Sequence, residues 1–175
     1  MDLYEKTLTS KTLYNGRILN LRQETIQLPD GSQALREIVD HKNGVGVLPI
    51  QGDCIVFVKQ FRIAIHSELL EIPAGLMEDG ENPEETATRE LQEEIGLKPL
   101  NLKYYGRIWP TPGCCNELTH LFIASRFEEL PLEQDDDEFI QLVKIPVRTV
   151  KALYLNGYFT DAKTACILGY YFSQC

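Results

Sequence analysis

Residues 82–96 constrain the fold more than any other stretch of the chain. Asn82 offers a side-chain oxygen to the free N–H groups of a first helical turn. Pro83 suits the first helical position, and Glu85 falls three residues after the cap, where it can return the bond. Glu84 and Glu85 lie at the positive end of the helix dipole. Ala87, Leu91 and Ile95 recur every fourth residue as one apolar stripe, and Gly96 can end the helix in the left-handed conformation. A helix with one apolar stripe buries it against a second layer, which the rest of the chain must supply.

That layer reads as strands. Residues 7–14, 18–28 and 34–41 alternate in the strand manner, with Pro29-Asp30-Gly31 as the turn between the second and third runs. Residues 44–50 and 54–61 form another pair about Gln51-Gly52-Asp53, and 69–72 is a short, mostly apolar strand. Further strands are expected at 100–109, 118–125 and 139–145, then helices at 147–155 and 161–172, the last capped by Asp161. Strands mixed with a few helices predict an α/β or α+β domain rather than a bundle or a sandwich of sheets. Residues 1–43 read as a small N-terminal β-hairpin extension and 44–175 as the main domain. The extension is too poor in strands to stand alone, which predicts a homodimer formed through it.

Charge narrows the partners. Lys and Arg number 17 against 26 Asp and Glu, a net charge of -9, which argues against nucleic acid and anionic membranes. It suits a site that gathers carboxylates and fills them with cations. No apolar run approaches the roughly 20 residues of a membrane span, and the first residues lack the apolar core of a signal peptide. A cytoplasmic protein is expected. The five cysteines are odd in number and not at zinc-ribbon spacing, so free thiols are expected.

On the 82–96 helix, Glu90 and Glu94 lie about 40° apart, and Glu93 about 60° to the other side of Glu90. Arg89 and Glu93 are an i, i+4 pair. Three anions within about one turn repel one another unless a cation sits among them. Carboxylates select hard divalent ions, and Mg²⁺ commonly rests on one or two of them plus substrate phosphates. A solvated acidic face is the alternative reading of the same three residues.

The surrounding residues decide between them. Residues 75–97 read GLMEDGENPEETATRELQEEIGL: Gly75, five residues, Glu81, seven residues, Arg89-Glu90-Leu91, then Glu93-Glu94 and Gly96-Leu97 after single spacers. This resembles the Nudix box without a departure, a coincidence expected on the order of once in 10⁷ chains or less. The resemblance implies an α/β/α sandwich around a mixed sheet, and metal-dependent hydrolysis of a nucleoside diphosphate linked to another moiety. It implies Glu90 and Glu94 as metal ligands, with Arg89 and Glu93 as a supporting catalytic pair. Glu81 either joins them or closes the loop by hydrogen bonds.

Features outside the box resemble the ADP-ribose pyrophosphatase branch of that family. The box is entered through Glu71-Ile72-Pro73-Ala74-Gly75, and the resemblance implies the Ala74 carbonyl as a further metal ligand and Glu71 near substrate and metal. Val58-Lys59-Gln60-Phe61-Arg62 places Arg62 at a strand end, where a guanidinium can grip phosphate. Arg36-Glu37-Ile38-Val39 resembles the strand that reaches a partner subunit's substrate, with Arg36 making the contact. Pro112, 15 residues after Leu97, stands in Thr111-Pro112-Gly113, a stiff turn like the one that borders the sugar phosphate. Gly113 and, four residues on, Glu117 are the implied substrate contacts there. Residues 161–165, Asp-Ala-Lys-Thr-Ala, also look like the bacterial members.

In that branch the general base is a glutamate on a loop before a late strand. Here the loop is 133–138, and Glu138 is the expected base, with Asp137 the alternative. His120 alternates within an apolar strand and reads as structural. The expected reaction is ADP-ribose plus water giving AMP and ribose 5-phosphate, with Mg²⁺, or alternatively Mn²⁺, as cofactor. Hydrolysis of another nucleoside diphosphate sugar and a non-catalytic nucleotide sensor are the other readings.

Overall fold

In the computed structural model, residues 2–134 and 138–174 are described. The chain divides into two units, residues 1–43 with 109–118, and residues 44–108 with 119–175.

The first unit is built on three antiparallel strands, as the alternation of residues 7–14, 18–28 and 34–41 predicts: β1 (Lys6–Asn15), β2 (Leu19–Gln27) and β3 (Gln33–His41), in the order β1-β2-β3. The turn between β2 and β3 closes because Gly31, at φ 87°, donates its N–H to the Leu28 carbonyl at 2.9 Å. Asp30 Oδ1 accepts from the Ser32 N–H at 2.9 Å in the same turn. Every residue of β1 is exposed. Residues 109–118 join this unit through backbone bonds to β3: Val39 N–H donates to the Cys114 carbonyl (2.7 Å), and Asn116 N–H to the Val39 carbonyl (3.1 Å). The Asn116 side chain adds bonds to the His41 N–H (2.9 Å) and to Asp40 (2.8 Å).

The second unit carries a seven-stranded mixed sheet. Its path runs β12 (Ile140–Pro146), β5 (Cys54–Arg62), β4 (Gly44–Gln51), β10 (Thr119–Ala124), β9 (Lys103–Ile108), with β6 (Ser67–Glu71) paired to β5 and β7 (Ala74–Leu76) to β4. β4 and β10 run parallel, and the remaining pairs are antiparallel. Two short strands, β8 (Leu97–Pro99) and β11 (Phe127–Glu129), pair separately.

Both faces of the sheet are covered, and the alternation within its inner strands shows why. Val45, Val47, Val56, Val58, Phe122 and Ala124 point to the face where α1 (Pro83–Ile95) lays its stripe of Ala87, Leu91 and Ile95. Leu48, Ile55, Phe57 and Leu121 point to the other face, against Val150 of α2 (Val147–Leu155) and Ile167 and Leu168 of α3 (Ala162–Ser173). A strand buried on both faces loses the apolar–polar alternation of a half-exposed one, as β4 does in its first six residues. The result is the expected helix–sheet–helix sandwich.

The ends of α1 follow their local chemistry. Asn82 accepts from the N–H groups of Glu84 and Glu85, both at 3.0 Å, and Glu85 accepts from the Asn82 N–H at 2.9 Å. Gly96 closes the helix at φ 73°. No helix among the described residues is long and apolar enough to cross a membrane.

Candidate active site

The acidic residues of α1 meet the loop that enters the helix. Glu90 and Glu94 are buried, at 6% and 4% exposure. Glu94 Oε2 accepts the Ala74 N–H at 3.0 Å, which fixes the backbone of β7 against the helix. Glu90 packs so tightly on the same strand that a methyl group built on Gly75 would run into its carboxylate. Only glycine leaves room there, a packing demand rather than one of backbone angle.

Arg89 organises the rest. Its Nε donates to Glu81 Oε1 at 2.9 Å, and one terminal nitrogen is shared by Glu90 (2.7 Å) and Glu93 (2.8 Å). The other reaches the Leu76 carbonyl at 3.0 Å and Glu81 Oε2 at 3.1 Å. Glu81 also accepts from the Glu78 N–H (2.9 Å) and the Thr86 hydroxyl (2.8 Å), so it closes the entry loop. The Arg89 bond holds its carboxyl down at about 2.

Burial works in the opposite direction on the two innermost acids. It pushes Glu90 up to about 7, with Arg89 opposing and the charges of Glu93 and Glu138 assisting. It raises Glu94 well above the usual carboxylate range, with Glu90 and Glu138 adding repulsion. Glu138 is exposed, yet its charge is felt by both buried acids. Asp137, the alternative base, lies outside the described residues.

A divalent cation fits this chemistry, because buried carboxylates that repel one another are stabilised by a shared positive charge. Among the described residues no three His, Cys, Asp or Glu side chains converge on one ion position. Glu90 and Glu94 are the buried acids here that could hold such a cation.

Glu71, at the end of β6, is 1% exposed. Arg62 grips it through Nε (2.7 Å) and a terminal nitrogen (2.9 Å), and Lys163 Nζ donates to Glu71 Oε2. Burial pulls the Glu71 pKa upward, but the two cations outweigh it and hold it below the ordinary value. The sequence suggests Arg62 and Glu71 as separate contacts, whereas the fold makes them one pair. Lys163 has no local signal that ties it to Glu71, because the two are 92 residues apart.

Arg36, Gly113 and Glu117 belong to the first unit. Arg36 and Gly113 line one cavity of about 410 Å³ there, with Trp109, Pro112 and Cys114 among its walls. Arg36 pairs with Glu5 in a two-pronged bond of 3.2 and 2.6 Å. The Glu117 N–H meets the Cys115 sulfur at 3.5 Å. In the second unit, His120 stands on β10 beside Tyr104, 3.4 Å from its hydroxyl. Cys54, Cys114, Cys115 and Cys166 are free thiols, and Cys175 lies outside the described residues.

A model of the NUDIX domain matches residues 40–164, and one of the nucleoside diphosphate sugar hydrolase N-terminal domain matches residues 5–39. An ADP-ribose pyrophosphatase of Bacillus subtilis (strain 168) is 36% identical over 172 residues, covering 97% of this chain and 93% of the relative. A methanol dehydrogenase activator of Bacillus methanolicus is 32% identical over 169 residues, covering 95% and 91%. The crystal structure of an ADP compounds hydrolase has the same fold, with a TM-score of 0.86 over 99% of this chain and 97% of that one, at 21% identity. A domain match over most of the chain, and relatives alike along nearly all of it, agree with the box on α1: the chain belongs to the Nudix family of hydrolases.

Proposed function

We propose that this protein hydrolyses the pyrophosphate bond of ADP-ribose, giving AMP and ribose 5-phosphate, with Mg²⁺ or Mn²⁺ as cofactor. The observation that carries the reading is the buried Glu90–Glu94 pair, Glu90 held by Arg89 and Glu94 by the Ala74 N–H. The name of the Bacillus subtilis relative, alike over 97% of this chain, supports the choice of substrate.

Glu90, Glu94 and the Ala74 carbonyl would hold the metal, which when bound lowers the pKa of water and neutralises phosphate oxygens. Arg89 keeps Glu90 and Glu93 in place from one nitrogen. Arg62 is anchored by Glu71, and its side chain, 42% exposed, remains open to a phosphate oxygen. Glu138 takes a proton from the attacking water as the water oxygen bonds to phosphorus and the bridging P–O bond breaks. That proton then passes to the departing phosphate. Arg36, Gly113 and Glu117 are assigned as further substrate contacts, Glu117 to a ribose, and the cavity that Arg36 and Gly113 line supports the assignment of those two.

The active form is proposed as a homodimer in which Arg36 serves the partner copy's substrate. A fully exposed β1, with Leu8, Leu13 and Tyr14 in solvent, supports pairing through the N-terminal sheet. Free thiols at four positions suit a reducing, cytoplasmic setting.

The test is turnover on a panel of nucleoside diphosphate sugars with Mg²⁺, following release of the nucleoside monophosphate. ADP-ribose should show the highest kcat/KM. A tenfold or greater preference for another sugar would move the substrate within the class, and tight binding of ADP-ribose without AMP would replace the enzyme by a sensor.

A further inference from the structure

The N-terminus of α3 makes more bonds than capping a helix requires. Asp161 Oδ2 accepts the Thr164 N–H at 3.0 Å, which is the ordinary cap. The same oxygen accepts the Thr164 hydroxyl proton at 2.6 Å, and that hydroxyl in turn accepts the Ile72 N–H at 2.9 Å. Asp161 Oδ1 accepts from Lys163 Nζ at 3.0 Å, and Lys163 reaches across to Glu71. Two adjacent residues of α3, Lys163 and Thr164, thus hold two adjacent residues at the end of β6 and just beyond it, Glu71 and Ile72.

Lys163 is the unusual member. A cation in the first turn of a helix opposes the helix dipole, so α3 gains nothing from it. Glu71 already has a two-pronged cation in Arg62, so its single negative charge is shared by two positive ones. Lys163 and a terminal nitrogen of Arg62 meet on the same oxygen, Glu71 Oε2, so the ammonium holds the carboxylate, and with it the two-pronged grip on the guanidinium, in one orientation.

We propose that Lys163 is a positioning residue for substrate binding, which acts through Glu71 to hold Arg62 oriented toward a phosphate of the substrate. Asp161 sets Lys163 in place. The proposal rests on the reading of Arg62 as a phosphate contact.

The experiment compares KM and kcat for ADP-ribose with Mg²⁺ in Lys163→Met, Lys163→Arg, Arg62→Ala and the double variant Arg62→Ala/Lys163→Met, with a thermal melt of each. Lys163→Met should raise KM about 10-fold with kcat within about 3-fold, the pattern of lost uniform binding. Lys163→Arg, which restores the cation, should return KM to within about 2-fold of the parent. In the Arg62→Ala background, Lys163→Met should add no further rise, because neighbours acting through one group are not additive. If the Met variant loses its cooperative melt, Lys163→Gln carries the same expectation. A parent-like KM in a folded Lys163→Met or Lys163→Gln protein overturns the proposal, as does an equal rise in both backgrounds or a fall in kcat at unchanged KM. If Arg62→Ala itself keeps the parent KM, the phosphate reading of Arg62 fails and takes the proposal with it. If Arg62→Ala raises KM and Lys163→Met does not, only the proposal fails.

Discussion

Gly75 and Glu90 are in such close contact that one added carbon at residue 75 would occupy the space of the Glu90 carboxylate. The glycine of the entry strand and the acid of the helix are a matched pair, 15 residues apart in the chain. Gly75 is not among the glycines at positive φ, so the demand is for space.

It follows that Gly75→Ala should fold normally and fail chemically. The extra methyl displaces a side-chain end rather than backbone, so the melting temperature should change little. A loss of turnover of roughly 10²-fold or more is expected, since misplacement of a reacting group by about 1 Å can cost that much. Parent-like kcat with Mg²⁺ would show that Glu90 relaxes without consequence.

Glu90→Gln and Glu94→Gln separate the metal role from the structural one. Each replaces a buried acid that repels its neighbour, so the metal-free variants should melt no lower than the parent. Turnover should fall by orders of magnitude, and the rise in melting temperature that Mn²⁺ gives the parent should shrink. An unchanged metal response in both variants would remove them as ligands.

Glu138 is tested by Glu138→Gln beside Asp137→Asn. Loss of a positioned general base should cut kcat by roughly 10²–10⁴-fold and leave substrate affinity close to the parent. Full turnover in Glu138→Gln, with loss in Asp137→Asn, would shift the role by one residue. If neither matters, Glu93 becomes the leading base.

Glu81 supplies a pH test of stability. Arg89 holds its folded pKa at about 2, below the ordinary 4.5. A depressed carboxyl contributes stability above its unfolded pKa and loses it as pH falls through the folded one. Glu81→Gln should therefore lower the melting temperature at pH 6, and the gap to the parent should close as pH drops from about 4.5 toward 2. A gap that stays constant across that window would show that the Arg89 pairing is not its source.

The dimer is tested by sedimentation at micromolar concentration. The expected mass is twice the 20.0 kDa of one chain, and Arg36→Ala should raise KM without dissociating it. A fully active species with the mass of a single chain would exclude the arrangement.

What the sequence determined by itself is what local chemistry controls. The span of α1 follows from Asn82, Pro83, Glu85 and Gly96, each acting on backbone within a turn or so. The carboxylate cluster follows from helical spacing, and the two-sided core from alternation in β4, β5 and β10. The short strands β7, β8 and β11 escape such a reading, because three residues carry no period and exist only through their pairing partners. The same holds for residues 109–118, which read as part of the main domain until Val39 supplies their backbone bonds. Lys163 and Glu71 make the point most sharply. Nothing within either segment calls for the other, and only the packing of α3 onto the sheet brings the ammonium to a buried acid that must have a cation.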